Sequence, residues 1–152
     1  MSSYRFPVAF AALLFLFGCT ATNTAQSANL PAMNEQITAV VEAFALAAEQ
    51  HDVAAFETIL HPEFRVIATR YPNPETTSIL PRAVYLQLIG GGKIGGEAYD
   101  VTVHSVNETK HNATVIATLT GEKTTMDVTL LLTQDAKGAW SIISDFPIIT
   151  PK

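Results

Sequence analysis

Leu130-Leu131-Leu132-Thr133-Gln134-Asp135-Ala136-Lys137-Gly138-Ala139-Trp140-Ser141-Ile142-Ile143 is the stretch that decides the architecture. Two apolar runs flank the turn signal Asp135-Ala136-Lys137-Gly138, so they read as the arms of a β-hairpin. Working back toward the N-terminus, the same period of two recurs. Met126, Val128, Leu130 and Leu132 lie on one face of their run, and Ala113, Val115, Ala117 and Leu119 on one face of theirs. Tyr99, Val101 and Val103 repeat the pattern before them. Turn signals fall between the runs at 108–112 and at Gly121-Glu122-Lys123. Four consecutive strands joined by tight turns predict an antiparallel meander.

Upstream the period changes to that of a helix. Ile37, Val40, Val41, Phe44 and Ala48 recur at spacings of three and four, which predicts a helix over 34–50 with Asn34 as its N-cap. Glu35, Glu42 and Glu49 fall on its solvated face. Asp52 is placed to cap a second helix, 53–60, with Phe56, Ile59 and Leu60 inward, and Pro62 cannot continue it. Residues 64–69 read as a short strand and 71–77 as a loop. Pro81 suits the first position of a third helix that carries Val84, Tyr85, Leu88 and Ile89 on one face. Five glycines between 90 and 96 read as a loose connection. They do not make a phosphate loop, because no Gly-Lys-Ser/Thr follows. Helices first and strands last predict an α+β domain with the helices on one face of the sheet. Phe44, Val115, Leu130, Leu132 and Trp140 are the expected core.

The N-terminus reads as a leader. Arg5 precedes the apolar run Phe6 to Phe17, whose roughly 12 residues rise only ~18 Å as a helix, too short for a ~30 Å hydrocarbon core. Leu16-Phe17-Gly18-Cys19 closes the run and contains the single cysteine of the chain. It resembles the lipobox of bacterial lipoproteins. By that resemblance, 1–18 is a signal peptide, Cys19 is lipidated, 19–32 is a flexible tether and 33–152 is the folded domain. Thr20 after the cysteine is not the aspartate of inner-membrane retention. The resemblance therefore implies the periplasmic side of the outer membrane, reached through the acyl chains alone. The net charge of −5 argues against nucleic acid, which needs clustered cations.

Three segments carry a second resemblance. They are Glu49-Gln50-His51-Asp52-Val53-Ala54-Ala55-Phe56, then Leu60-His61-Pro62-Glu63-Phe64, then 130–143. Their order and spacing resemble the nuclear-transport-factor-2-like superfamily, which includes SnoaL-like cyclases and ketosteroid isomerases. The closing segment is most similar to a small bacterial lumazine-binding subgroup. The resemblance implies a cone-shaped fold, with about three N-terminal helices packed on a curved, mostly antiparallel sheet around an apolar cavity. It also marks departures. His51 stands where glycine is usual, and Phe146-Pro147 stands where an aromatic residue and histidine often follow the last strand. The ketosteroid-isomerase tyrosine falls at Phe44, its base at Ala68 and its protonated aspartate near Thr129, with Asp127 two residues away on the same face, and these departures count against an isomerase.

The remaining candidates are Asp145, Asp127, His104, Arg65 and Tyr85. Asp145, with isoleucines around it, is the best candidate for a buried polar group. Asp127 and His104 lie mid-strand, on faces that read as outward or as bordering the cavity. Arg65 is placed to meet an acidic ligand at the cavity mouth, and Tyr85 to offer a hydroxyl. His51, His61, His104 and His111 show no metal-ligand spacing, and no cofactor motif is present. The expectation is a non-catalytic module for a small apolar or aromatic ligand, with no residue assigned to catalysis. The alternatives are a small-molecule cyclase, isomerase or dehydratase that pairs Asp145 or Asp127 with His104, and a homodimerisation module that uses the open sheet face.

Overall fold

The computed structural model describes residues 30–152, with side-chain surroundings from residue 35 onward. The expected leader, Cys19 and most of the expected tether lie outside the described residues. Helix α1 (Leu30–Gln50) begins before the expected cap, so Asn34 falls inside it. Ile37, Val41, Phe44 and Ala48 are buried, and Glu35, Glu42 and Glu49 are exposed. The helix stops at His51, whose φ of 54° is left-handed. The Asp52 amide then reaches back to the Ala47 carbonyl at 2.9 Å and the His51 amide to Ala48 at 3.4 Å. This is a helix end that glycine adopts without strain, which explains why glycine is usual where His51 stands here. Asp52 caps α2 (Val53–Ile59) as expected, accepting from the Ala55 amide at 2.9 Å.

Strand β1 (Leu60–Thr69) starts four residues earlier than predicted and carries Pro62 within it. A strand not anticipated in sequence, β2 (Thr77–Pro81), follows the loop and leads into α3 (Arg82–Gly90). Pro81 is therefore the N-cap of α3 and not its first residue. The predicted meander is present as β3 (Asp100–Thr109), β4 (Asn112–Thr120), β5 (Thr124–Gln134) and β6 (Trp140–Pro151). The six-stranded sheet runs β2-β1-β6-β5-β4-β3, antiparallel throughout except where β1 lies parallel to β6. Phe146-Pro147 sits inside β6 and does not follow it.

Helices and sheet bury one continuous core that includes all five expected residues. Phe44, Phe56, Phe64 and Tyr85 form an aromatic cluster between the layers. Phe56 meets both Phe44 and Tyr85 edge-on with ring centroids 5.4 Å apart. Such pairs add ~0.5–1.5 kcal/mol each beyond their buried area.

Two strand irregularities decide what faces the helices. In β3 the register with β4 slips at His104, between Val103 and Ser105. In β6 it slips between the Leu132↔Ile142 and Leu131↔Ser144 pairs, leaving Ile143 as the extra residue. A bulge of one residue reverses the side-chain parity of everything beyond it. Trp140 and Ile142 therefore face the helices before the bulge, and Asp145, Pro147 and Ile149 face them after it.

Candidate functional site: an apolar cavity with one carboxyl

Between the helices and the open end of the sheet lies a cavity of about 300 Å³. Its walls come from every layer: Phe44 and Ala48 of α1, Val66 and Ala68 of β1, Tyr85, Leu88 and Ile89 of α3, Met126 and Val128 of β5. Ile94 and Gly95 form part of the rim. The glycine segment is therefore not loose. Gly96 donates its amide to the Ala48 carbonyl at 2.9 Å, and Gly95, at φ 83°, lies so close to that carbonyl that a Cβ has no room. Two glycines thus fasten the rim to the end of α1.

Asp145 is the polar centre of this cavity. It is 5 % exposed and its Oδ1 has no hydrogen-bond partner. Its strand neighbours in register are Val66 and Leu130, both buried and apolar. Burial alone pushes its pKa up to about 7. Tyr85 lines the same cavity, and burial, with the nearby Asp145 charge adding to it, pushes its phenol upward. Tyr85 is therefore a neutral hydroxyl near neutral pH. Tyr99 and Tyr71 also line the cavity, with Ser78 of β2. Tyr99 is held from behind by Glu97, which accepts from the Thr124 hydroxyl at 2.7 Å, from the Tyr99 hydroxyl at 3.2 Å and from the Lys123 amide. The Lys123 amide first, and the Thr124 hydroxyl second, hold the Glu97 carboxyl below its ordinary range.

Asp145 and Tyr85 are the candidates that share the cavity; the others lie outside it. His104 and Asp127 are exposed on the opposite face of the sheet, bridged by Thr118. The Thr118 hydroxyl donates to Asp127 Oδ1 at 2.8 Å and lies 2.8 Å from His104 Nε2. An acid–base pair of Asp145 with His104 is not assembled, because the sheet stands between them. Arg65 is exposed on that outer face too, opposite Pro81 and Ser144, and not at the cavity mouth. Thr129 also points outward, in register with Phe146. Phe44 and Ala68, by contrast, do line the cavity, so two of the three positions aligned with isomerase groups face it, neither with a polar side chain. Ser78 was legible only through the weak alternation Thr77-Ser78-Ile79-Leu80, which the flanking prolines conceal, and Tyr71, in the loop before it, carried no signal in the sequence.

The arrangement of helices, sheet and cavity is shared with solved structures. An NTF2-like protein of unknown function from Silicibacter pomeroyi superposes with a TM-score of 0.69 at 17% identity, covering 80% of this chain and 98% of that one. The fold is nuclear-transport-factor-2-like. A second NTF2-like protein of unknown function, from Shewanella baltica, gives 0.67 at 9% identity over 80% and 97% of the two chains. A protein of unknown function with a cystatin-like fold from Nostoc punctiforme gives 0.65 at 12% over 78% and 92%. No family profile and no curated protein matches the sequence. Within the NTF2-like fold, then, the lining residues of this chain must carry the functional argument.

Proposed function

We propose that this domain binds a small, mainly apolar molecule in its cavity, with Asp145 fixing the orientation of the ligand. Asp145 itself carries the reading: a buried carboxyl with no partner for Oδ1, set among apolar walls. An unanswered polar group in such surroundings lowers stability, so its presence there calls for a role. The cavity volume is at the lower end of the ~300–1,000 Å³ usual for small-molecule sites. Ala68→Phe fills the cavity from β1 and leaves Asp145 in place. 1-Aminoanthracene, an apolar fluorophore, is expected to bind the parent and to bind the folded variant at least about tenfold more weakly, in line with the ~1.4 kcal/mol that a tenfold change represents. Equal binding to both proteins refutes the cavity as the site.

The same proposal places the domain outside the cytoplasm on a lipid anchor, most simply at the outer membrane. Its support is Leu16-Phe17-Gly18-Cys19 at the end of the apolar run. Cys19→Ala is expected to leave a larger, unacylated precursor, and normal maturation of that variant refutes the anchor.

A second reading rests on the outer sheet face. Ile79, Ile116 and Ile148 are exposed there, at 61%, 48% and 58%. Three large aliphatic groups on one face favour pairing with a second copy of the chain. Sedimentation is expected to show a dimer that Ile116→Glu with Ile148→Glu converts to monomer. A monomeric parent sinks this reading.

A further inference from the structure

Resting on the cavity reading above, we infer that the ligand is a protonated amine on an apolar body, its N–H groups donated to the Asp145 carboxylate and its charge set against the aromatic walls. The lining residues narrow the chemistry stepwise. An anion has no counterpart, since among the described residues no Lys, Arg or His lines the cavity and Asp145 repels it. A neutral carbonyl ligand answers only the proton of an uncharged Asp145 and leaves its second oxygen without a partner. An ammonium group donates to both oxygens and neutralises the charge in one contact.

The walls support the same choice. Phe44, Tyr85 and Tyr99 line the cavity with Asp145, and aromatic faces attract a cation within about 6 Å of the ring centroid. Tyr85 remains a phenol near neutral pH, so it offers a ring and a hydroxyl without a competing negative charge. The chain as a whole carries a net charge of −5, which favours the approach of a cation over an anion.

The groups facing Asp145 make the pH dependence readable. Tyr85 from α3 is the near ionisable neighbour, with Tyr99 and Tyr71 toward the mouth. The facing surfaces of α1, β1 and β5 are apolar, and Arg65 lies on the other side of the sheet. Among the described residues, Asp145 is thus the one cavity group that changes charge near neutrality. Binding of an ammonium ion requires the carboxylate, so it expels a proton when Asp145 starts protonated.

Phenethylammonium and its neutral analogue phenethyl alcohol test the inference by calorimetry on the parent and on Asp145→Asn. An alkylamine stays protonated at both pH 6 and pH 8, so a change in its affinity reports on the protein, and about a tenfold gain is expected between them. At pH 6, titrations in buffers of different ionisation enthalpy are expected to show about one proton released per ammonium bound. The alcohol is expected to show no such gain. Asp145→Asn keeps the shape of the side chain and is expected to bind the alcohol, while losing both the pH dependence and at least about tenfold in ammonium affinity at pH 8. If the alcohol binds the parent as tightly as the ammonium at pH 8, or Asp145→Asn holds the ammonium unchanged, the ligand class is wrong and the cavity reading stands. If neither compound binds the parent, both fall.

Discussion

Asp145 and Asp127 occupy adjacent strands of one sheet, Asp145 in register with Leu130 of β5 and Asp127 with Ile148 of β6. They face opposite sides. Asp127 lies in solvent and accepts from the Thr118 hydroxyl. Asp145 is buried against apolar walls, its Oδ1 accepts from nothing, and its acidity is lowered until it titrates near neutrality. The contrast shows that surroundings, and not residue type, set the chemistry of a carboxyl: one is left in solvent beside a donor, and burial among apolar walls makes the other responsive to pH. The outer face reads as a polar surface interrupted by isoleucines, and the inner face as a hydrophobic cup with a single demand at its centre.

The largest effect that separates the two faces is expected at Trp140, which is buried on the inner side. Trp140→Ala should lose ~3–5 kcal/mol by chemical denaturation, a large share of the ~5–15 kcal/mol that holds a domain together. A melting temperature within a degree or two of the parent would show that the inner face is not the core.

Next comes Asp145→Asn, with the opposite sign. The native pKa of Asp145 is raised to about 7, above its ordinary carboxylate value, so the native state holds a proton that the unfolded chain gives up. Stability from this group is present below the unfolded pKa of ~4 and is lost as pH rises toward 7. Asparagine removes that loss. The variant is expected to gain up to about 4 kcal/mol over the parent at pH 8 and little at pH 4. Equal melting curves at both pH values would mean that Asp145 has water or a donor beside it.

The smallest effect belongs to the outer face. Asp127→Asn is expected to change stability by no more than ~0.5 kcal/mol, as for exposed polar groups generally. A destabilisation above ~1 kcal/mol would show that the His104–Thr118–Asp127 bridge is a structural element and would erase the contrast between the faces.

The fold was legible in sequence to the extent that its periodicity is local. The meander announced itself through alternation in β4 and β5, where inward and outward residues never exchange. The first helix and the Asp52 cap were equally clear, because both depend on residues within a turn of each other. Strand β2 was not, since five residues beside prolines carry too few alternations to stand apart from a loop. The parallel pairing of β1 with β6 joins segments some 80 residues apart, and no short-range pattern records it.

The site follows the same division. Sequence alone determined that Asp145 stands among isoleucines, that Phe44 and Ala68 lack polar groups, and that the chain has little positive charge for an anionic partner. Tertiary structure alone decided which of the candidates share a cavity. The bulge at Ile143 turns Asp145 inward, although strict alternation from Trp140 would turn it out. The bulge at His104 breaks the register of the edge strand and leaves that histidine bonded to Thr118 in solvent. Arg65 faces outward because its neighbours Phe64 and Val66 are taken into the core. A bulge is a compromise between two strands over one extra residue, so its position is set by the partner strand and the helices packed above, neither of which is encoded in the residues that it redirects.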